Sequence, residues 1–501
     1  MRYKIAKRTA LPFDKVHEEC GVFGIAAPPG KQIAAAHEAY VALFALQHRG
    51  QEAAGIAVND RGVIHCYKDV GLVSQVFDQQ ILDRLPGTMA VGHVRYSTTG
   101  RQSRENAQPI AITHIKGNLA VAHNGNLVNA GELRRRIEMN GGIFRSSNDT
   151  EVLVYTIVNE RLKCGSIEQA VANTMRVIEG AYSLVVMSPR KLIAARDPHG
   201  FRPLCIGLLD GCYVFASETC ALDALGAEFL RDVEPGEVCV VEDGQLRSLH
   251  GGVRCETAAC VFEYIYFARP DSVIDGASVE LARQEAGKYL SIEHPVGADV
   301  VIGVPDSGIP AAIGYAKFSG IPYGIGLIKN RYIARTFIQP GQDRRERSVR
   351  LKLNALRTAI EGKRVIMVDD SIVRGTTCAR LVKLLRDAGA AEVHMRISSP
   401  PFRHPCFFGT DIPERSQLLA HGRTVEEMRA IIGVDSLGFL SLEAARKIAL
   451  GCKLGFCDAC FSGEYPVKVP EQAEKNMFET EIPLAGEGDA DDRKERACND
   501  E

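Results

Sequence analysis

Cys20 and three later polar blocks are the residues of the N-terminal half whose types could carry out amide hydrolysis. Cys20 precedes the apolar and glycine-rich run GVFG, and the later blocks contain Arg95, Asn124 and Asp149. Amide hydrolysis needs a nucleophile, a base and hydrogen-bond donors for the developing oxyanion. A free thiol has a pKa of about 8.5 and an α-amino group one of about 7.7–8.0, so an N-terminal cysteine would carry its own base. Taken singly, Cys20 could be a buried structural cysteine and each block a turn or a solvated loop.

A second set of polar residues follows an uninterrupted apolar run at 365–368. The run ends in two carboxylates, Asp369 and Asp370, and a short loop then opens a helical pattern. This pattern predicts a buried parallel strand, and open α/β sheets bind ligands at the carboxyl ends of such strands. Residues 374–377 would present backbone N–H groups and hydroxyls at a helix N-terminus, which favours phosphate binding. A charged turn that caps the next helix is the alternative interpretation.

Cysteines of the C-terminal half form a third candidate site. Cys457 and Cys460 make a C-x-x-C pair, and Cys260 and Cys406 lie far upstream of it. Four thiolates suit a [4Fe-4S] cluster and also suit zinc, so the residues alone leave the metal open. Cys452 stands five residues before Cys457 and could compete as a ligand.

Four blocks accompany Cys20, and they are residues 47–52 (QHRGQE), 92–98 (GHVRYST), 123–126 (HNGN) and 147–151 (SNDTE). Together and in this order, they resemble the glutaminase domain of class II glutamine amidotransferases, which are N-terminal-nucleophile enzymes. The resemblance implies that Cys20 is the nucleophile. It also implies an oxyanion hole made by the Asn124 side chain and the Gly125 backbone N–H. Arg95 would bind the α-carboxylate of glutamine and Asp149 its α-ammonium.

Cys20 is not the first residue of the sequence. The resemblance therefore implies a zymogen, in which residues 1–19 are a propeptide that is removed to expose Cys20. The leader begins with a basic patch but has no apolar run, which argues against a secretory signal. A disordered start with Cys20 left internal is the alternative interpretation.

The segment 365–377 resembles the signature of type I phosphoribosyltransferases, and the PDSG loop at 305–308 matches the pyrophosphate loop of that family. The resemblance implies one Mg²⁺ per subunit, held with its substrate by Ser307, Asp369 and Asp370. Hard oxygen ligands suit this ion. The basic, aromatic stretch 329–337 resembles the mobile loop that closes over the substrate, although a solvated basic loop is the alternative. The residues implied to bind phosphoribosyl pyrophosphate are Asp369, Asp370, Ser371, Arg374, Gly375, Thr376 and Thr377.

Segments 262–272 and 460–466 match the iron–sulfur subgroup of the amidophosphoribosyltransferases. The resemblance implies one [4Fe-4S] cluster per subunit, bound by Cys260, Cys406, Cys457 and Cys460. Such a cluster would be structural, because neither hydrolysis nor transfer needs an electron carrier. We expect few apolar residues to anchor its segments, and we expect the ten other cysteines, Cys20 aside, to be small buried residues.

The chain must position these sites on more than one core, because 501 residues exceed what one domain usually holds. We expect α/β and α+β architecture. The resemblance implies an N-terminal-nucleophile four-layer αββα sandwich, followed by a parallel-sheet type I phosphoribosyltransferase domain. The expected divisions are a propeptide (1–19), a glutaminase domain (20–255), a phosphoribosyltransferase domain with the cluster segments (256–470) and an acidic, disordered tail (471–501).

Net charge and hydropathy limit the class of partner. The formal net charge is −2, which does not favour nucleic acid or an anionic membrane. No stretch reaches the roughly 18 apolar residues of a membrane span. The scattered, odd cysteine count fits a reducing cytoplasm rather than a disulfide framework.

The resemblance implies an enzyme of purine biosynthesis. Glutamine, phosphoribosyl pyrophosphate and water would yield 5-phosphoribosylamine, glutamate and pyrophosphate, with ammonia channelled between two sites. A homotetramer that purine nucleotides inhibit is also implied. The rival enzyme is another class II amidotransferase, such as the one that makes glucosamine 6-phosphate, but that class lacks the 365–377 signature. A nucleotide-sensing regulator is the rival outside catalysis, and the intact Cys20 set argues against it.

Overall fold

The computed structural model describes residues 20–96, 102–253, 255–330, 353–410, 412 and 415–470. The predicted propeptide at 1–19, the predicted disordered tail at 471–501 and residues 331–337 of the predicted mobile loop 329–337 therefore lie outside the described residues. None of the helices within the described ranges combines the length and apolarity that a membrane crossing requires.

The described N-terminal half contains two antiparallel sheets that pack face to face. The spatial order is β11-β9-β10-β1-β4-β2-β3 in the first sheet and β13-β12-β8-β7-β6-β5 in the second. The strands are β1 (Gly21–Ala26), β2 (Ala53–Asp60), β3 (Val63–Val70), β4 (Met89–Arg95), β5 (Ile110–His114), β6 (Gly117–Leu127), β7 (Gly180–Met187), β8 (Lys191–Arg196), β9 (Cys205–Leu209), β10 (Cys212–Ala216), β11 (Glu228–Asp232), β12 (Glu237–Glu242) and β13 (Gln245–His250).

Helices cover the outer face of each sheet. The described helices of this half are α1 (Ala35–Ala45), α2 (Val73–Val76), α3 (Gln79–Asp83), α4 (Ala130–Met139), α5 (Asp149–Lys163), α6 (Ile167–Thr174) and α7 (Thr219–Leu225). Alternate residues of β1 face opposite layers, as the two-residue period of a strand requires. Phe23 packs in the core under α1, and Val22 packs in the core between the sheets. This arrangement confirms the predicted αββα sandwich.

The C-terminal half is built on a parallel sheet of order β17-β20-β21-β22. Its described strands are β14 (Ala259–Cys260), β15 (Val273–Ile274), β16 (Ala277–Ser278), β17 (Val300–Gly303), β18 (Leu327–Lys329), β19 (Leu353–Ala355), β20 (Arg364–Asp369), β21 (Glu392–Ile397), β22 (Ser436–Phe439) and β23 (Phe456–Cys457). Its described helices are α8 (Val279–Glu293), α9 (Gly308–Ser319), α10 (Arg357–Ile360), α11 (Thr376–Asp387), α12 (Val425–Ile432), α13 (Leu442–Ala445) and α14 (Ala459–Ser462), with a π-helical turn at Glu263–Phe267 and a 3₁₀ turn at Arg415–Gln417.

Helices on both faces explain why the central strand β20 is apolar without alternation. Ile366 and Val368 pack with α8 and α9 in one core, whereas Val365 and Met367 pack with α11 in the other. Parallel sheets covered on both faces have this composition. The prediction of a parallel sheet with crossover helices is confirmed.

The first and last strands of the C-terminal half pair with each other. β14 and β23 are parallel, and Cys260 lies opposite Cys457 in their register. The boundary predicted after residue 255 falls in the connection between β13 and β14 and stays a prediction.

Burial of the remaining described cysteines was predicted wrongly at two positions, Cys66 and Cys255, and Cys164 and Cys452 are only half-buried. Cys66 and Cys255 are exposed, because they lie on an edge strand and in an interdomain connection rather than in a core. The remaining cysteines that are buried, as predicted, are Cys205, Cys212, Cys220, Cys239 and Cys378.

Candidate active sites

Cys20 lies where β1 begins, beside the end of β4. The two strands are antiparallel, and Gly21 lies opposite Val94 in their register. This pairing places Cys20 next to Arg95, the last residue of β4. The buried Cys20 thiol lies 3.3 Å from the carbonyl oxygen of Tyr96. The first sheet therefore brings together the predicted nucleophile and the predicted glutamine carboxylate ligand.

Asn124 and Gly125 lie on β6, in the second sheet. Gly125 has a φ of +141°, and a Cβ there would lie 2.0 Å from the carbonyl oxygen of Ala181, so only glycine fits. The Asn124 side chain is fully buried. Neither of its amide atoms has a hydrogen-bond partner among the described residues. A buried amide left in this state is costly, and it is suited to meet the oxygen of a bound substrate.

A contact between His93 and His123 joins the two sheets at this end. The Nε2–H of His93 donates to the carbonyl oxygen of His123 at 3.0 Å. Burial lowers the pKa of His93 to about 3, so its imidazole is neutral. Because His93 stands two residues before Arg95 and His123 one residue before Asn124, the contact brings both predicted site residues to the same end of the sandwich.

Asp149 occupies the first turn of α5, directly after the N-cap Asn148. Its Oδ2 accepts the backbone N–H of Leu127 at 3.1 Å, and the side chain is buried. Leu127 ends β6, so Asp149 is anchored two residues beyond Gly125. All five residues predicted for the glutaminase site therefore lie on elements that meet at one end of the sandwich.

Asp369 and Asp370 lie at the carboxyl end of β20, and both are fully buried. The hydroxyl of Ser307 donates to the Asp370 carboxylate. The loop of Ser307 approaches β20 closely, since a Cβ at Gly308 would lie 2.4 Å from the carbonyl oxygen of Val368. The peptide bond between Pro305 and Asp306 in this loop is cis. The structure thus joins the predicted pyrophosphate loop to the predicted carboxylate pair.

A loop with the predicted phosphate ligands connects β20 to α11. Gly375 is the N-cap of α11 and has a φ of +83°, and Thr376 and Thr377 begin the helix. The first-turn N–H groups of a helix point outward as unsatisfied donors. Ser371 donates to Asp370 at 2.5 Å, and the Arg374 guanidinium donates to Gln417 at 2.8 Å. All seven residues predicted to bind the substrate lie at this edge of the sheet.

Cys260, Cys406, Cys457 and Cys460 line one cavity between the two halves. Burial raises the pKa of Cys457 to about 12. Burial, together with the neighbouring thiols of Cys406, Cys260 and Cys457, raises the pKa of Cys460 well above its ordinary value. Such crowded thiols ionise together only beside a cation, so the donor set fits a metal centre. Cys452 is not among the residues that line this cavity.

The expectation that the cluster segments have few apolar anchors was wrong. Phe402, Phe408 and Phe461 are buried. The ring centroids of Phe402 and Phe461 are 4.9 Å apart, and those of Phe408 and Phe201 are 4.4 Å apart. Aromatic side chains dominate packing of this kind. The prolines of the segment 400–408 suggested a segment without a core. Its aromatic side chains are buried through contacts with residues that are distant in the sequence.

A group of polar residues lies close to Cys20, to whose carbonyl oxygen it is connected through Arg49. The sequence did not indicate that these residues associate. His48, Glu218 and Cys220 place ligand-type atoms within 4.8 Å of one another. The Glu218 carboxylate already accepts hydrogen bonds from the side chains of His48, Arg49 and Ser272. Burial opposes its ionisation, but His48 and Arg49 hold the pKa of Glu218 well below its ordinary range. The group is therefore an ion-pair network. No local pattern could reveal these pairings, since Glu218 lies 169 residues from Arg49 and 170 residues from His48 in the sequence.

Amidophosphoribosyltransferases of several organisms are similar to this chain over most of its length. A family model described as a glutamine amidotransferase domain matches residues 93–224. The chain is 50% identical to the amidophosphoribosyltransferase of Methanocaldococcus jannaschii, over 90% of this chain and 98% of that protein. It is 49% identical to the Bacillus subtilis amidophosphoribosyltransferase, over 91% of this chain and 95% of that protein.

Solved structures agree with these relatives. The glutamine phosphoribosylpyrophosphate amidotransferase of Bacillus subtilis, solved in complex with ADP and GMP, matches with a TM-score of 0.85 and 48% identity. That match covers 92% of this chain and 100% of the solved one. A structure described as the allosteric regulatory enzyme of purine biosynthesis matches with a TM-score of 0.86, 47% identity and coverage of 93% and 100%. By sequence, by fold and by both halves together, the chain belongs to the amidophosphoribosyltransferase family of glutamine-dependent glycosyltransferases.

Proposed function

We propose that the chain hydrolyses glutamine at the Cys20 site and transfers the ammonia to phosphoribosyl pyrophosphate at the Asp369–Asp370 site. The products are glutamate, pyrophosphate and 5-phosphoribosylamine, in the first committed step of purine biosynthesis. The observation that carries the proposal is the presence, in one chain, of both constellations, on two halves that are in contact. Asn126, next to Gly125, donates to the carbonyl oxygen of Phe407 at 3.0 Å. Ammonia would pass from the Cys20 site to the Asp369–Asp370 site through the protein.

In the glutaminase, the α-amino group of Cys20 takes the proton of its own thiol, and the thiolate adds to the amide carbon of glutamine. Asn124 Nδ2 and the Gly125 N–H donate to the oxyanion. The proton moves to the leaving nitrogen, ammonia departs, and water hydrolyses the thioester to glutamate. Arg95 binds the α-carboxylate through its fork of donors, and Asp149 binds the α-ammonium.

This mechanism requires removal of residues 1–19. Until then, Cys20 has an amide nitrogen, which cannot accept a proton near neutral pH. The active protein therefore begins at Cys20, and N-terminal sequencing should find Cys20 as its first residue. Fully active enzyme that kept any residue of the leader would contradict the mechanism.

In the transferase, the loop that leads into α11 binds the 5′-phosphate, with Ser371, Arg374, Gly375, Thr376 and Thr377 as the proposed ligands. The carboxylates of Asp369 and Asp370 and the hydroxyl of Ser307 would hold one Mg²⁺. When bound, that ion neutralises the charge of the departing pyrophosphate. The two carboxylates also favour the positive charge that develops at C1 of the ribose. Their burial supports this assignment, because buried carboxylates are otherwise costly.

The cavity lined by Cys260, Cys406, Cys457 and Cys460 would hold one [4Fe-4S] cluster per subunit. The all-cysteine donor set and the crowding of the thiols support a metal there, and metal analysis distinguishes iron from zinc. The backbone N–H of Phe408 donates to Cys406 Sγ at 3.4 Å, and hydrogen bonds to cluster sulfurs tune the reduction potential. The cluster would tie β14 and β23 to the segment after β21.

The remaining proposals concern partners and location. Purine nucleotides inhibit the enzyme, a proposal supported by the ADP and GMP bound to the Bacillus subtilis relative. We also propose a homotetramer in the cytoplasm, where the free cysteines of the described residues stay reduced. Sedimentation with and without a purine nucleotide tests the assembly.

The test of the proposed division of labour is Cys20→Ala, assayed with glutamine and with ammonia. Glutamine-dependent product formation should be abolished, whereas ammonia-dependent formation should stay within about twofold of the wild type, because the two reactions use separate sites. Cys212→Ala, which removes a buried thiol of the same sandwich, is the matched control and should keep both activities. Loss of both activities in folded Cys20→Ala would contradict the proposal.

A further inference from the structure

Two arginines of the N-terminal half converge on one carboxylate of the C-terminal half. Arg49 donates to Glu263 through both terminal nitrogens, at 2.8 Å from Nη2 to Oε1 and 3.0 Å from Nη1 to Oε2. Arg202 donates from Nη1 to Oε1 of the same carboxylate at 3.2 Å. All three side chains are at most 1% exposed. Glu263 is therefore the shared acceptor of a buried contact between the halves.

Arg49 connects this carboxylate to the nucleophile. Its Nε–H donates to the backbone carbonyl oxygen of Cys20 at 2.9 Å, and its Nη1 also donates to Glu218 at 2.6 Å. Four hydrogen bonds from the Arg49 guanidinium are thus directed at three fixed acceptors, the Cys20 carbonyl oxygen, Glu218 and Glu263. With Arg202, the group contains two buried positive and two buried negative formal charges. Removal of one charge from such a set leaves another uncompensated in a low-dielectric interior.

Glu263 itself is held rigidly, because it opens the π-helical turn Glu263–Phe267. The carbonyl groups of this turn are bound by Arg283 of α8. The Arg283 guanidinium donates to the carbonyl oxygens of Tyr264 and Tyr266, each at 2.9 Å, and of Ala268 at 2.7 Å. Single π turns occur often at functional sites. The position of Glu263 is therefore determined by the core of the C-terminal half.

Resting on the proposed role of Cys20 as nucleophile, we propose that Glu263 is a positioning residue of the glutaminase. Glu263 orients Arg49, and Arg49 holds the carbonyl group of Cys20. A fixed carbonyl sets the direction of the Cys20 Cα bonds, and hence the placement of its α-amino group and thiol relative to each other and to Asn124. The C-terminal half thus completes the geometry of a reaction that the N-terminal half performs.

A purely structural role for Glu263 would predict only a weaker contact between the halves. The chain contains a matched control for that role. Arg196 of the N-terminal half donates to Asp275 of the C-terminal half at 2.7 and 2.8 Å. The side chains of this pair are 1% and 8% exposed, and within the described ranges neither forms a hydrogen bond with Cys20. Asp275→Asn therefore weakens the same interface without touching Arg49.

The experiment compares Glu263→Gln with Asp275→Asn in the full mature protein. The side chain introduced by Glu263→Gln has the same shape as that of Glu263, but it presents an amide N–H₂ group to the guanidinium donors. We expect the kcat for glutamine-dependent product formation to fall about tenfold or more, because small displacements of reacting groups slow a reaction by this much. The KM for glutamine should stay within about twofold, because Arg95 and Asp149 are untouched. Ammonia-dependent activity should also stay within about twofold. The rate at which iodoacetamide alkylates Cys20, measured by peptide mass spectrometry, should decrease.

Each outcome separates this inference from the proposed function. An equal loss in Asp275→Asn, an equal fall in ammonia-dependent activity, or an unchanged kcat in Glu263→Gln would overturn it. Retained glutamine use in Cys20→Ala would instead overturn the proposed function. If Glu263→Gln does not fold, Arg49→Lys keeps the charge but removes the fork, and it must give the same separation of kcat from KM.

Discussion

At the scale of single residues, the glutaminase site contains a buried polar side chain that forms no hydrogen bond with the described part of the protein. Asn124 is fully buried and its amide has no hydrogen-bond partner among the described residues. Gly125 follows it with a backbone conformation that a Cβ would not allow. Two adjacent residues thus combine a side-chain donor with a backbone donor. This pairing is the expected form of an oxyanion hole.

Asn124→Ala should lower the kcat for glutamine hydrolysis by about 10²–10³, because one oxyanion donor is lost. Ammonia-dependent transfer should be unchanged, and thermal stability should not decrease by much, since the amide has no described partner to lose. Asn118→Ala, on the same strand but away from the site, is the control. Steady-state kinetics with glutamine and with ammonia measure both effects. A similar loss in the two variants would refute the assignment.

At the scale of elements, the transferase site is a consequence of parallel strand order. β20 is flanked by the parallel strands β17 and β21, so the loop at its carboxyl end lies next to the loops that follow its two neighbours. The loop after β17 contributes Ser307, and β20 itself contributes Asp369 and Asp370. A hydroxyl and two carboxylates from separate segments therefore meet at one edge.

Asp369→Asn combined with Asp370→Asn should reduce transfer from either nitrogen source by more than about 10²-fold, because the oxygen ligands for the ion lose their charge. Basal glutaminase activity, measured without phosphoribosyl pyrophosphate, should survive because Cys20 is untouched. Asp387→Asn, an exposed carboxylate at the end of α11, is the control. Ammonia-dependent transfer retained in the double variant would contradict the assignment.

The four thiols link elements that are distant in sequence. Cys260 and Cys457 lie opposite each other on β14 and β23, and Cys460 lies on α14. Cys406 belongs to the proline-containing segment between β21 and α12, which buried aromatic side chains anchor. The metal and the aromatic packing therefore stabilise the same segment.

Cys406→Ser should lose iron, whereas Cys452→Ser should retain it, because Cys452 lies outside the common cavity. The melting temperature of Cys406→Ser should decrease by several degrees without unfolding the domain, since the aromatic anchors remain. Iron, sulfide and zinc contents with thermal unfolding of each variant provide the test. Stoichiometric zinc in anaerobically purified wild type, or iron lost with Cys452, would overturn the proposed ligands.

At the scale of the whole molecule, buried polar groups make stability depend on pH. His93 lies between the two sheets and is neutral, because burial lowers its pKa to about 3. In the unfolded chain its pKa is about 6.5. Between these values the unfolded state binds a proton that the folded state does not, so stability falls as the pH decreases below about 6.5. The loss approaches about 1.4 kcal/mol per pH unit.

His93→Gln should therefore flatten the loss of stability between about pH 6 and pH 4.5. Carboxylates act at lower pH. Burial opposes ionisation of Glu237, but hydrogen bonds from Arg231 and Ser248 hold its pKa at about 2. Its contribution is present above about pH 4.5 and is lost as the pH falls towards 2, in wild type and variant alike. Melting temperatures across this range measure both effects, and parallel curves for the two proteins between pH 6 and pH 4.5 would contradict the role of His93.

Much of the site chemistry was predictable from the sequence, because the relevant signals are contiguous. The run 365–370 predicts both a buried strand and the carboxylates at its end, since one short segment determines both features. Arg95 ends β4 and Asp149 begins α5, so the local sequence at these two positions also marks the end or start of an element, whereas Asn124 lies within β6. The αββα and parallel-sheet architectures followed from the resemblance that these motifs carry, and the observed strands agree.

Only the tertiary structure decided which distant groups support these sites. Arg49 and Glu263 are 214 residues apart in the sequence, and no spacing relates a charge in one domain to its partner in another. The aromatic anchoring of Phe402 and the exposure of Cys66 were missed for the same reason. A residue type and its near neighbours determine local conformation, whereas burial and charge pairing depend on which surfaces the complete fold brings into contact.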